Sequence, residues 1–322
     1  MNEFALIDRF FHHAAQDPAV RTGIGDDGAV VVPSPGCELV LAVDMLVEGR
    51  HFLAGVAPGT LGHKTLAVNL SDMAAMGARP RWALLALALP DCDEHWLAEF
   101  TRGLFVLADR FAVTLIGGDT TRGPRNLCLT IVGEVPAGAA LTRAGARPGN
   151  DIYVSGSLGD AALALAVLQG RATLGAEDFV LARARLDTPE PRVALGERLR
   201  GVATAAIDIS DGLTGDLQHI LDRSGMGATI DVALIPRSAP LAALCDGARR
   251  DLALACLLAG GDDYELCFMA APTSRDVVAA IARDLDVPLT RIGCVSTGSG
   301  LVVRDERGAP LAALPSSFDH FS

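Results

Sequence analysis

The side chains of this sequence best placed to do chemistry are aspartates standing beside glycine. The pair recurs at Gly25-Asp26, Gly118-Asp119, Gly159-Asp160, Gly215-Asp216 and Gly261-Asp262. Glycine lets the backbone turn tightly while the neighbouring carboxylate projects, an arrangement that suits a hard cation taking oxygen ligands. In GIGDDG (23–28), Asp26 and Asp27 are adjacent. The string matches the G-x-G-x-x-G dinucleotide fingerprint. However, a β-rich segment follows rather than a helix, and two carboxylates occupy the place of a pyrophosphate, so that match is rejected. An ordinary polar turn and a cation site both remain open for it.

GGDTTRGP (117–124) follows a strand-like segment. Gly117 and Gly118 would admit phosphate oxygens to the backbone, with Asp119 for a cation and Arg122 nearby; a simple glycine turn is the alternative. In AIDISDG (206–212) a buried strand delivers Asp208, and Ser210 and Asp211 stand where the next helix opens, so either also suits a helix N-cap. AGGDDYE (259–265) sets Asp262 and Asp263 before a strand, and a tight hairpin would use the same residues. Asp44 is expected to end a strand. Asp72 lies in a helical segment rich in Ala, Leu and Met, with Asn69 one turn earlier. Carboxylates in such helices are paired or metal-bound; a cap or a pairing with Arg79 or Arg81 is the alternative.

Together, these oxygen-only acidic turns favour several bound Mg²⁺ ions over zinc. The sequence contains no G-x-x-x-x-G-K-[ST] phosphate loop, kinase H-R-D set, H-E-x-x-H or G-x-S-x-G elbow. His51, in DMLVEGRHF, is a candidate substrate contact, whereas His12, His13, His63, His95, His219 and His320 read as surface or packing residues.

These residues need elements to hold them. Residues 29–32 and 38–43 read as two strands around the turn Pro33-Ser34-Pro35-Gly36. A helix is expected over 62–77, where Leu66, Leu70, Met73 and Ala74 recur at helical spacing before a closing glycine. Then come a strand at 82–89, a helix at 93–110, and strands at 113–116 and 127–132. The Gly-, Pro- and Arg-rich stretch 143–150 marks a boundary, giving an N-terminal domain of 1–146 and a C-terminal domain of 147–322. The second domain reads as a strand at 151–155, helices through 161–168 and 176–200, and a strand at 203–207. A helix at 214–223, a strand at 228–232, apolar helices and a strand at 265–269 follow. The fold class is α/β.

The chain has 322 residues, half of them apolar, enough for two domains. Its longest apolar runs, 82–89, 161–168 and 252–259, are far short of the roughly 20 residues that span a membrane. The amphipathic start MNEFALIDRFFHH is unlike a signal peptide, so a cytoplasmic protein is expected. A net charge of -12 argues against nucleic acid as partner. Seven cysteines, none in a C-x-x-C pair, read as free thiols.

Eight ordered motifs carry a resemblance across nearly the whole chain: GIGDDGAV, EGRHF, KTLAVNLSDMAAMGARP, LIGGDTTRGP, LTRAGARPGN, AIDISDGLTGDL, GGDDYELCF and FDHF. The sequence is similar to the thiamine-monophosphate kinase family, within the superfamily of aminoimidazole ribonucleotide synthetase and selenophosphate synthetase. That resemblance implies a two-domain α/β (α+β) fold of the PurM-like type, a first-domain sheet that closes a barrel with a second subunit of a homodimer, and ATP and thiamine monophosphate bound between the domains. It implies several Mg²⁺ ions on Asp27, Asp44, Asp72, Asp119, Asp208 and Asp211. Gly118, Asp119, Arg143 and Ser210 match ATP contacts, and His51, Asp262 and Phe318 match contacts to thiamine monophosphate. The family often has Ser or Thr just before the acid that Asp44 matches. Here Ala42 and Val43 stand there and offer only backbone carbonyls. Asp262 replaces a common Glu and Phe318 a Tyr or Trp, keeping charge and aromatic character. The rival readings are a related ATP-dependent synthetase and a catalytically inactive nucleotide- and metal-binding dimer. Selenophosphate synthetase would bring a reactive Cys or selenocysteine and a Lys in an N-terminal glycine-rich loop, both lacking here.

Overall fold

A computed structural model describes residues 3–13 and 17–317. By its internal contacts the chain divides into two units, residues 1–73 with 78–138, and residues 74–77 with 139–322.

In the first unit the elements are α1 (Glu3–Phe10), β1 (Val20–Thr22), β2 (Val30–Val31), β3 (Cys37–Val47), α2 (Pro58–Ala75), β4 (Arg79–Leu89), α3 (Glu94–Phe111), β5 (Thr114–Arg122) and β6 (Asn126–Pro136). The main sheet runs β3-β6-β4-β5, antiparallel except for the β4–β5 pair. A parallel pair needs a crossover, and α3 supplies it. The Asp93 carboxylate opens α3 by accepting the N–H groups of His95 and Trp96, and Ala112 closes it in the left-handed region. Leu66, Leu70 and Met73 of α2 and Leu97, Phe100 and Leu104 of α3 are buried, as are Leu85, Leu87, Leu127, Leu129 and Ile131 of the sheet. The two helices meet backbone to backbone: a Cβ at Gly103 would lie 1.8 Å from the Gly59 carbonyl oxygen, and one at Gly62 would lie 2.0 Å from that of Phe100.

Three expectations are corrected here. Residues 29–32 do not form a hairpin with 38–43; the short β2 pairs instead with β1, a strand the sequence reading did not assign. Pro33 and Pro35 cannot donate to a continuing ladder, and the Ser34 N–H and hydroxyl both donate to Glu134. Second, Asp44 does not end its strand. β3 continues to Val47 because β6 pairs with it over its full length, from Cys37↔Pro136 to Val47↔Asn126. Third, Gly117, Gly118 and Asp119 lie inside β5 rather than in a turn after it. The β4–β5 register shifts between Ala83 and Leu84. Gly118 then crosses so close to β4 that a Cβ there would lie 1.9 Å from the Leu85 carbonyl oxygen.

β3 is a sheet edge whose outward row, Leu39, Leu41, Val43 and Met45, is 40%, 66%, 58% and 51% exposed.

The second unit holds β7 (Asp151–Ser155), α4 (Asp160–Leu168), α5 (Ala176–Asp187), α6 (Val193–Leu199), β8 (Ala203–Asp208), α7 (Leu213–Ser224) and β9 (Gly227–Asp231). It continues with α8 (Ala239–Cys245), α9 (Arg250–Ala259), β10 (Leu266–Ala270), α10 (Arg275–Leu285), β11 (Leu289–Ser296) and β12 (Gly300–Arg304). Its sheet runs β12-β9-β11-β7-β10-β8, antiparallel except for β12 with β9. β7 and β10 are buried along their whole length, and Ile152, Val154, Ile207, Leu217, Ile220 and Met269 share one core. At the β8 edge the Ala206 N–H donates to the Thr142 carbonyl, so the segment after Leu141 covers that edge. Among the described residues no helix is long and apolar enough to cross a membrane.

Candidate active site

The first unit gathers part of the expected acid set. The 23–28 loop between β1 and β2 brings Asp26 and Asp27 to Gly117, Gly118 and Asp119 of β5, around a cleft of about 280 Å³. An adjoining cleft of about 450 Å³ shares those residues and is walled by Ile7 of α1 and by Phe11 just after it. The Asp27 N–H donates to Asp26 Oδ1 at 2.9 Å, which fixes the turn.

The β1–β2 arm that carries this loop is tied down at both ends. Arg81 donates to Asp17 at 2.8 Å and to Glu134 at 2.6 Å, the Trp82 indole also donates to Asp17, and Glu134 accepts Ser34. Burial alone would raise both carboxyls. The Ala19 N–H, Arg81 and Trp82 more than offset it at Asp17, and Ser34 and Arg81 do so at Glu134, so each sits below its ordinary range.

Asp44 stands apart from that cleft. β3 and β5 are opposite edges of the sheet, three strand spacings apart, or roughly 14 Å at about 4.8 Å each. Burial first and the Asp44 charge second raise the thiol of Cys128, which lines the 280 Å³ cleft. Ala42 and Val43 are mid-strand on the β3 edge, where alternate carbonyls face away from β6. Asp72 is part-buried on α2. Asn69, one turn earlier, is fully buried, with its Nδ2 donating to the Thr65 carbonyl and its Oδ1 accepting from none of the described residues. Arg81 is committed to Asp17 and Glu134. His51 follows β3 and accepts the Val47 N–H on Nδ1 at 3.0 Å, so the neutral ring carries its proton on Nε2 as a donor.

The second unit assembles the rest. Asp208 ends β8, and Ser210 and Asp211 follow it. Neither caps α7, whose N-cap is Gly212 with no side-chain bond. Asp216, in the first turn of α7, does that work instead: its Oδ2 accepts the N–H groups of Ser210, Asp211 and Gly212 at 3.1, 3.1 and 3.0 Å. Burial, then the charges of Asp208 and Asp211, push the Asp216 carboxyl up to about 7. The 260–265 segment is not a hairpin. It lies along this loop as an extension of the β8–β10 ladder, with Asp262 N–H donating to the Ser210 carbonyl, Tyr264 N–H to that of Ile209, and Ile209 N–H to that of Glu265. Asp262 is thereby joined through the backbone to Ser210. Arg143 is exposed on the segment that covers the β8 edge, and its carbonyl accepts the Ser224 hydroxyl. Phe318 lies outside the described residues.

Among the described residues, no three His, Cys, Asp or Glu side chains form a ready-made cage for a metal ion. The acids are spread as small sets, all with oxygen donors. Mg²⁺ commonly takes one or two protein carboxylates and completes its shell with water and phosphate oxygens, and the donors present fit that habit.

Comparison with known proteins agrees with the geometry. The family described as AIR synthase related protein matches with its N-terminal domain over residues 25–135 and with its C-terminal domain over 147–306. Over 324 residues, 99% of this chain and 98% of the relative, the sequence is 46% identical to a thiamine-monophosphate kinase of Salmonella typhimurium. The chain belongs to the thiamine-monophosphate kinase family. A member of that family from Bacillus subtilis is 31% identical over 333 residues and the full length of both chains. The crystal structure of thiamine-monophosphate kinase from Stenotrophomonas maltophilia K279a superposes with a TM-score of 0.86 at 48% identity, covering 94% of this chain and 96% of that one. AaThiL complexed with AMPPCP and TMP superposes with a TM-score of 0.77 at 30% identity, covering 92% of each. The two-domain arrangement of mixed sheets and helices is the family's fold.

Sequence reasoning missed Asp216, Tyr264, Glu265 and Arg81. Asp216 was visible as one of the recurring Gly-Asp pairs, and Tyr264 and Glu265 complete the acidic motif itself. Nothing in the sequence links Arg81 to Asp17.

Proposed function

We propose that this chain transfers the γ-phosphoryl group of ATP to thiamine monophosphate, giving thiamine diphosphate and ADP, as a homodimer in the cytoplasm. The observation that carries the reading is likeness to thiamine-monophosphate kinases over 99% of the chain. The glycine- and aspartate-lined cleft of the first unit supports it.

Asp27, Asp44, Asp72, Asp119, Asp208 and Asp211, with a carbonyl of Ala42 or Val43, are the residues that would hold Mg²⁺. Such ions supply charge neutralisation between two polyanions and hold the reacting groups in line. Gly118 leaves β5 without a side chain beside the ATP phosphates, with Ser210 and Arg143 as further nucleotide contacts. His51 Nε2–H donates to the acceptor phosphate, and Asp262 faces the cationic heterocycle. The acceptor phosphate, with a second pKa of about 6, is largely dianionic at neutral pH, so its oxygen attacks without a general base. The apolar outward row of β3 supports dimerisation through this sheet edge, because such a row on an unpaired edge invites pairing with another chain.

Incubation of the purified protein with ATP, Mg²⁺ and thiamine monophosphate tests the reading. Chromatography should show thiamine diphosphate from the monophosphate and none from unphosphorylated thiamine. ATP consumption with no thiamine diphosphate would overturn it in favour of a related synthetase.

A further inference from the structure

The larger of the two clefts in the first unit divides by chemistry. The residues it shares with its neighbour, Asp26, Asp27, Gly117, Gly118 and Asp119, stand at the junction of the two. What the larger cleft adds is chiefly apolar: Ile7, Phe11, Ile24, Leu85 and Leu115, with Asp8 and Thr120 among them. At about 450 Å³ it lies within the roughly 300–1,000 Å³ of small-molecule sites, which are built in this way from apolar walls and a few polar groups. The wall made by the α1 segment is fixed in advance. Leu6 and Phe10 are buried, and the Phe11 N–H donates to the Ile7 carbonyl, so the helical turn carries on through Phe11. The segment is also pinned at both ends of α3. Arg9 donates to Glu94 in the first turn of α3 at 2.7 Å, and His13 Nε2 lies 2.6 Å from Asp109 Oδ1 in its last turn. The His13 ring stacks on Phe105 with centroids 4.2 Å apart. Ile7 and Phe11 therefore stand at the cleft without needing a ligand to place them.

We propose that the apolar part of this cleft is the subsite for the nucleobase of the phosphoryl donor, with Ile7 and Phe11 holding the ring by apolar contact. The proposal rests on the kinase reading above, in which ATP is the donor. The cleft calls for a ligand of two halves: a neutral flat ring against the apolar wall and, next to it, a polyanion whose metal ions meet the carboxylates at the junction. Of the two substrates the donor has a wholly neutral ring system. The acceptor's carries a fixed positive charge, whose water an apolar wall would strip without replacing. Asp8, an acceptor when ionised, suits an exocyclic amino group on the edge of the base. Apolar contact discriminates weakly between similar rings, so the base adds affinity here more than selectivity. A wall already in place gives up little freedom on binding, which favours the bound state.

The test is calorimetric titration of wild type, Ile7→Ala and Ile7→Leu, in Mg²⁺, with the β,γ-methylene analogue of ATP and with inorganic tripolyphosphate, which lacks the base. Wild type should bind the nucleotide at least about tenfold more tightly than tripolyphosphate. Ile7→Ala should weaken the nucleotide about tenfold and tripolyphosphate by less than about twofold, and Ile7→Leu, which keeps the apolar area, should hold both within about twofold. In steady-state kinetics the KM for thiamine monophosphate should stay within about twofold in Ile7→Ala. Equal affinity of wild type for the two ligands, an unchanged nucleotide affinity in Ile7→Ala, or a rise in the KM for thiamine monophosphate in its place would each overturn the proposal. So would equal weakening of nucleotide and tripolyphosphate, the pattern expected if the variant only loosened the helix. Wild type that binds the nucleotide as expected yet forms no thiamine diphosphate would overturn the acceptor assignment and leave the subsite standing; wild type that binds no nucleotide would overturn both.

Discussion

The two acid-bearing regions of this molecule hold their carboxylates in opposite ways. In the first unit Asp26, Asp27 and Asp119 are exposed around a cleft, on a glycine-rich loop and an edge strand, and the ion pairs that fix the loop lie at a distance, through Arg81. In the second unit Asp216, Asp263 and Glu265 are buried and held in place, the first two by backbone N–H groups and Glu265 by two arginines. Exposed carboxylates receive a cation at little desolvation expense. Buried ones are held by neighbours, so they set the shape of the site before any ligand arrives. The contrast separates residues whose loss should stop chemistry from residues whose loss should loosen the fold.

The largest effect expected from breaking this contrast is on stability. Glu265→Ala leaves Arg185 and Arg192 without their buried partner, and chemical denaturation should show a loss of about 3–5 kcal/mol. Asp119→Asn should do the reverse: turnover falls on the order of 100-fold, while the melting midpoint moves by no more than about 2 °C. Equal losses of stability in both variants would erase the distinction between the regions.

Asp216→Asn sharpens it. The amide oxygen can still accept the three N–H groups, but the charge beside Asp208 and Asp211 is gone. Because the folded carboxyl is raised from 3.8 to about 7, the folded state holds a proton that the unfolded chain lacks between those values. Wild-type stability from this group is therefore present below pH 3.8 and lost as pH rises through about 7. In metal-free protein at pH 8 the variant should be more stable than wild type by roughly 1–3 kcal/mol, with the difference vanishing near pH 4. Melting curves across pH measure this. The smallest effect belongs to Arg81→Lys, which can hold Asp17 or Glu134 but not both in the same fork. Titrating activity against Mg²⁺ should show the half-saturating concentration rising about threefold to fivefold, roughly 1 kcal/mol, as the loop bearing Asp26 and Asp27 loosens.

The parts of the fold legible in the sequence were those written in periodicity. The α2 and α3 patterns, the apolar run of β4 and the glycine after α2 announced themselves through spacing. Gly117-Gly118 misled because a glycine pair reads as a turn, whereas here β5 needs Gly118 only because the Leu85 backbone passes too close for a side chain. Asp44 was read as a strand end because polar residues usually stop strands; full-length pairing with β6 carries the strand through it. The site residues missed were those whose role depends on a partner far along the chain. Arg81 reaches Asp17 across 64 residues, and Asp263 reaches Gly159 across 104. Asp216 was overlooked because Ser210 and Asp211 already suited a cap. Tyr264 was overlooked because only the backbone angles bring its hydroxyl back to Asp262.

The contact between α2 and α3 has a mechanical meaning. Where side chains separate two helices, a small intrusion is absorbed by a change of rotamer. Gly59, Gly62 and Gly103 leave no such cushion, because backbone rests on backbone. A single methyl group added at Gly103 has nowhere to go except into displacement of α2 itself. Thirteen residues along that helix, roughly 20 Å at about 1.5 Å per residue, stands Asp72. The helix is then a lever with its fulcrum at the glycines, and residues without a functional group of their own set the height at which a distant carboxylate is held.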